Sequence, residues 1–157
     1  MERLSGNGQE RGIDALLPAE MAERAEAIGV EKTRRDALSL VVLAVLAGAF
    51  IGLGAMFATT VMADSIGILP FGLKRLLAGL VFSLGLILVI AGGAELFTGD
   101  ALMVMAYASR RITLARLLRA WLYVYAGNIV GAAGTAALVF LAGQHGFAGG
   151  AVGKTAL

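Results

Sequence analysis

"GGAELFTGD", residues 92–100, interrupts an otherwise apolar run that extends from Leu76 to Ser109. Two glycines precede Glu95, and Thr98, Gly99 and Asp100 follow it. Placing one charged side chain at the centre of a bilayer costs about 2.5–3.5 kcal/mol even on the lenient insertion scale. As a single helix, Leu76 to Ser109 would be about 51 Å long, against a hydrocarbon core of about 30 Å. Tilt does not absorb that excess comfortably. The run therefore reads as two half-helices joined by an irregular turn at 92–100. Irregular backbone at membrane depth is tolerated only where protein buries it or where it lines a watery cavity, because lipid satisfies neither N–H nor C=O. Broken helices of this kind point to the substrate site of a transporter.

The polar residues of the turn acquire roles on this reading. Glu95 is expected to accept hydrogen bonds from the amides freed at the break, with the Thr98 hydroxyl doing similar work. Asp100 is expected to open the second half-helix, where a carboxylate meets unpaired N–H groups. Glu95 and Asp100, with Gly99 between them and Thr98, read first as structural parts of the break and second as substrate ligands. Thr98 reads equally as either.

Composition agrees with a membrane protein: 59% of the residues are hydrophobic and only 15% charged, a balance foreign to soluble domains. No charge falls between Asp36 and Asp64, between Arg75 and Glu95, or between Arg119 and Lys154. Each gap is about long enough to span a bilayer. Three spans follow, at about 37–62, 76–109 (interrupted at 92–100) and 114–142. Residues 1–36 form a tail with a short helix, and 37–157 form the transmembrane part. Residues 1–35 are polar and the first apolar run is too long for an h-region, so a cleavable signal peptide is not expected.

Basic residues flank the spans unevenly. Arg24, Lys32, Arg34 and Arg35 precede the first, and Arg110, Arg111, Arg116 and Arg119 lie between the second and third. The first connection holds only Lys74 and Arg75, and the C-terminal tail only Lys154. This asymmetry puts the N-terminus in the cytoplasm and residue 157 outside, in a multi-pass protein of the plasma (inner) membrane. The net charge is only +2, with no basic stripe, so nucleic acid is not an expected partner. The chain has no cysteine, which excludes disulfides and thiolate chemistry. No metal, cofactor or catalytic constellation is expected, and neither G-x-S-x-G nor H-E-x-x-H occurs. An intramembrane enzyme has little support.

In "LLPAEMAERAEAIG", Pro18 and Gly29 bound a short helix. Leu17, Met21, Ala25 and Ile28 share a face, which suits either an amphipathic helix at the membrane surface or a solvated linker. Gly48 and Gly52 form a G-x-x-x-G in the first span. Gly127, Gly131 and Gly134 line one side of the third, with Asn128 and Thr135 as its polar members. Small residues of this kind let helices approach closely in lipid. "ADSIGILPFG" supplies the turn between the first two spans.

The segments "FSLGL" and "AELFTG", followed by "YVYAGN", together with "LAGAFIGLG" and "LLPAEMAERAEAIGV", resemble the first half of a formate/nitrite transporter over about residues 16–157. The resemblance implies an all-α membrane fold of six helices in two inverted repeats, like an aquaporin protomer, with the second helix of each repeat broken. It implies a homopentamer in the lipid bilayer with one pore per protomer, passing small monovalent anions such as formate or nitrite. On that resemblance Phe82 and Leu86 match pore-narrowing side chains, Leu96 and Phe97 the constriction at the break, and Thr98 the threonine facing substrate. The family's pore histidine and loop lysine belong to its second half. The lone His145, in "GQHGFAGG", reads instead as an exposed residue of an outer connection. The chain is thus expected to be one repeat of a two-repeat transporter. The alternative is a non-transporting fragment that packs only with a complementary repeat or an intact homologue.

Overall fold

The computed structural model describes residues 17–63 and 69–157. The expected tail at 1–15 and half of the connection "ADSIGILPFG", residues 64–68, lie outside the described residues. Seven α-helices and one 3₁₀ segment follow in chain order, without strands among the described residues: α1 (Pro18–Lys32), α2 (Ala37–Ala63), α3 (Phe71–Ala91), α4 (Phe97–Asp100), α5 (Met103–Ala108), α6 (Leu114–Leu141), the 3₁₀ segment (Gln144–Gly150) and α7 (Ala151–Ala156). Three of them, α2, α3 and α6, are long and apolar enough to cross a membrane.

Glycines set how these three meet. A side chain on Gly48 would strike the Asn128 carbonyl, one on Gly127 the Ala44 Cβ, and one on Gly131 the Val45 carbonyl. Gly52 faces Thr135. Position numbers rise together along this seam, so α2 and α6 run parallel, backbone against backbone. Across the other seam Gly54 lies under the Phe82 carbonyl and Gly85 under that of Phe50, so α3 is antiparallel to both. Gly134 differs from its neighbours: it is exposed and a Cβ there meets nothing. Thr135 takes its place in the seam, buried and bonded to the Gly131 carbonyl at 3.0 Å.

α3 begins five residues before the expected start of its span, so Lys74 and Arg75 are helical and not part of the connection. The reason is Pro70, which occupies the N-cap and accepts the Lys74 N–H through its carbonyl. A charged side chain does not end a helix when its long stem lets the head reach water. Each long helix leaves large apolar side chains uncovered, among them Leu80, Ile87 and Ile90 on α3 and Leu122, Ile129 and Val130 on α6.

α1 leaves its apolar-spaced face uncovered and docks through a glycine. Leu17, Met21 and Ile28 are exposed, while Gly29 is buried against α5, where a Cβ would press on Ala106 and the Met103 backbone. Close approach through the smallest residue wins over area. The main buried cluster lies at this end of the molecule and joins Leu40, Ala44, Met103, Ala106, Ile112, Leu117, Ala120 and Val124. Arg34, Arg35, Arg116 and Arg119 share that end, called here the basic end. At the opposite end, His145 is exposed and stacks on Phe140 with ring centroids 4.7 Å apart.

Gly131→Ala is expected to destabilise the protein by about 1–3 kcal/mol or more, because the neighbour is rigid backbone. Gly134→Ala, with open space around it, is expected to be neutral or mildly stabilising. Melting curves in one detergent test the pair, and equal midpoints would contradict the backbone-to-backbone seam.

Candidate functional site at the helix break

The break is shorter than 92–100 and lies at 92–96. α3 ends in a Schellman arrangement: Gly93 is left-handed with φ 59°, and the Ala94 N–H bonds back to the Val89 carbonyl at 3.0 Å. That backbone favours glycine. Helix resumes at Phe97, so Thr98, Gly99 and Asp100 are helical, and Asp100 is the last residue of α4 and not the first of its half-helix. Several i→i−3 bonds through 102–105 tighten the passage into α5.

The backbone freed at the break is satisfied by two neighbouring helices. From α2, the Leu43 carbonyl accepts the Glu95 N–H at 3.2 Å. From α6, the Asn128 side chain uses both ends: its Oδ1 accepts the Phe97 N–H at 2.9 Å, and its Nδ2 donates to the Glu95 carbonyl at 2.9 Å and the Ala44 carbonyl at 2.8 Å. Trp121 donates its indole N–H to the Asp100 carbonyl at 2.9 Å. Asn128 is thus more than a polar member of a packing face.

The Glu95 carboxylate does not take freed amides, as expected from the sequence; it is ion-paired. Lys32 Nζ, at the end of α1, lies 2.5 Å from one oxygen, and Arg35 Nη1 lies 2.8 Å from the other. Lys32 also binds the Asp100 carboxylate. Both carboxylates are only 1% exposed, and the second oxygen of Asp100 has no partner among the described residues. Glu95 sits level with Leu43, roughly 10 Å along α2 from its start at Ala37 at 1.5 Å per residue. The acidic pair therefore lies toward the N-terminal end of α2. It lies within reach of cations at the basic end, which removes much of the expected burial cost. Burial alone would push the Lys32 ammonium down, but the hydrogen bonds it donates to Asp100 and Glu95, with the attraction of their charges, outweigh it and hold its pKa above the ordinary lysine value.

Lys32 and Arg35 were missed as site residues. A signal existed, since a buried intramembrane carboxylate needs a cation, but nothing local in the sequence says which one. Their separation from Glu95 along the chain is bridged only when Gly29 seats α1 on α5.

The expected pathway residues divide into two groups. Leu86, Leu96 and Thr98 line one open pocket of about 340 Å³, walled also by Lys32, Arg35, Glu95 and the Gly93–Ala94 turn. Thr98 is exposed, and neither its hydroxyl nor its N–H is bonded among the described residues. Phe97 faces away: its ring packs edge-on against Trp121 and Tyr125, at 5.9 and 5.3 Å between centroids. Phe82 is exposed on α3, one turn from Leu86, and does not line that pocket.

Sequence and fold both have counterparts among known proteins. The family described as formate/nitrite transporter matches residues 19–157. The chain belongs to the formate/nitrite transporter family. It is 44% identical over 145 residues to the formate channel FocA of Escherichia coli (strain K12), covering 92% of this chain and 50% of that protein. The formate channel FocA of Haemophilus influenzae (strain ATCC 51907 / DSM 11121 / KW20 / Rd) is 38% identical over 154 residues, 98% of this chain and 54% of that protein. A solved structure titled FNT family ion channel superposes with a TM-score of 0.70 at 26% identity, covering 80% of this chain and 50% of that chain. The chain spans about half the length of the curated relatives it matches. It is an all-α membrane protein of a channel and transport family.

Lys32→Met leaves two buried carboxylates with only Arg35 against them. It is expected to lower stability by about 3–5 kcal/mol, the range for breaking a buried pair. Because the folded Lys32 pKa is raised, its contribution is complete below the unfolded lysine value and is lost as pH rises through the folded one. In the wild-type protein that contribution should therefore be constant between about pH 7 and 9. Thermal melts across that range check both statements.

Proposed function

We propose that this chain forms half of a transmembrane pathway for small monovalent weak-acid anions, formate or nitrite among them. The observation that carries the reading is the pocket at the helix break, where Leu86, Leu96 and the unbonded Thr98 hydroxyl meet. Lys32 and Arg35 stand behind the turn, paired with Glu95 and Asp100, and hold it in place. The apolar side chains of Leu86 and Leu96 remove water from the anion, and desolvation raises the pKa of a weak acid. Thr98 then offers a hydrogen bond to an oxygen without offering a fixed charge. Phe82, one turn up the same face of α3, extends the apolar lining.

On this reading residues 37–157 are one of two inverted repeats, the basic end faces the cytoplasm of a plasma (inner) membrane, and the assembled protein is a pentamer that catalyses no reaction. The family membership and the shared clustering of Arg34, Arg35, Arg116 and Arg119 support it. The uncovered apolar face of α3 also favours a chain that works only beside a complementary repeat. Liposome flux with and without an intact homologue separates the two readings.

Thr98→Val keeps the side-chain shape and removes the hydroxyl, so formate flux is expected to fall with no change in melting midpoint. Leu96→Ala is expected to raise the flux of larger monocarboxylates more than that of formate. Since the chain has no native cysteine, single cysteines at 82, 86 and 98 give a clean test by water-soluble labelling. Protection of all three from aqueous reagent would sink the pathway assignment. A reporter placed after Leu157 is expected on the outer side, and cytoplasmic activity there would overturn the orientation.

A further inference from the structure

The first turns of α6 carry two cations that no carboxylate opposes. Arg116 and Arg119 are exposed, and neither forms an ion pair among the described residues. They share a cleft with Lys32, Thr33 and Arg35, over a floor of Leu40 and Ala120. The two carboxylates within reach, Glu95 and Asp100, are buried and held by Lys32, and Glu95 also by Arg35. Asp36 is turned to the start of α2, where it accepts the Ser39 N–H at 2.9 Å, and Glu31, exposed on α1, does not line the cleft. Four cations thus face one cleft and two carboxylates lie behind it. The cleft mouth is positive.

Its interior measures about 10 Å³, room for roughly one water molecule. No small metabolite is enclosed there; a ligand meets it at the mouth with one or two oxygens. The surroundings are amphipathic. The Arg119 guanidinium lies 5.7 Å over the ring of Tyr123, an aromatic suited to the membrane boundary. From Arg119 the exposed positions Leu122, Ala126 and Ile129 continue along one face of α6 at helical spacing. A positive head end above an uncovered apolar stripe matches a molecule with an anionic head and hydrocarbon tails. It does not match a free anion, which gains nothing from the stripe.

We propose that this cleft is a headgroup site for an anionic phospholipid. Arg116 and Arg119 hold the phosphate, Arg35 stands at the rim, and the acyl chains lie along Leu122 and Ile129. The lipid would tie the start of α6, the helix that carries Asn128, to the α1–α2 connection that follows Lys32. The site is separate from the Leu86–Leu96–Thr98 pocket and does not depend on which anion is carried.

The test uses the purified, delipidated protein with phosphatidylglycerol, phosphatidylcholine, inorganic phosphate or formate added in turn. Melting midpoint and lipid retained in native mass spectrometry are the readouts. Phosphatidylglycerol is expected to stay bound and raise the midpoint, with phosphatidylcholine and both free anions doing neither. R116Q/R119Q is expected to weaken phosphatidylglycerol retention roughly 30-fold, the effect of two interfacial charges. R116K/R119K should keep most of it, and R110Q, outside the cleft, all of it. Equal retention of the two lipids by the wild-type protein would overturn the proposal whether or not the variants fold. Unchanged retention in R116Q/R119Q would overturn it too. Displacement of the lipid by millimolar phosphate or formate would reassign the cleft to a free anion.

Discussion

A helix interrupted inside a bilayer leaves amides and carbonyls that lipid cannot satisfy, and everything around residues 92–96 answers that constraint. Each unsatisfied group would cost several kcal/mol in hydrocarbon. Asn128 meets two of them, and ties them to a carbonyl of α2, with one side chain, because a primary amide carries an acceptor and two donors in a single plane. Its Oδ1 serves the start of α4, and its Nδ2 serves the end of the break and a carbonyl of α2. No hydroxyl or carboxylate at the same position offers both polarities with the same reach.

That clamp works only because the backbones are close. Asn128 lies between Gly127 and Gly131, and its own carbonyl rests against Gly48. A methyl group at any of these glycines would push α6 away from α2 and open the hydrogen bonds to Ala44 and Glu95. The glycine seam and the amide clamp are therefore one device: van der Waals contact sets the distance at which the polar contact is possible. The same logic extends to α1, where Gly29 lets the helix sit low enough on α5 for Lys32 to reach Glu95 and Asp100.

Much of the framework was legible because it depends on run length and residue size. Charge-free stretches marked the spans, the length excess of 76–109 showed that one was broken, and Gly93 sits in the left-handed turn that ends α3. What escaped was pairing at a distance. The roles of Glu95 and Asp100 were misread because a carboxylate near a break looks like a cap, and only the folded chain brings Lys32 and Arg35 beside it. Phe97 and Leu96 are adjacent and both apolar, yet one helical step turns Phe97 toward Trp121 and Tyr125 while Leu96 faces the pocket. Boundaries failed where charge was taken as punctuation: Lys74 and Arg75 are inside α3 because Pro70 starts it.

The arrangement of charge at the break also bears on how an anion would move through it. Glu95 and Asp100 face Lys32, and Glu95 faces Arg35, behind the turn, so the cations and acids largely compensate one another. Beside these compensated charges, the pocket wall presents the Thr98 hydroxyl and free N–H and the apolar surfaces of Leu86 and Leu96. A bare cation there would bind an anion tightly and hold it, whereas conduction requires a site weak enough to leave. Dipoles in place of a net charge meet that requirement. The buried ion network then fixes the turn in place, and on the proposed function the compensated charge would leave the wall that meets the anion close to neutral.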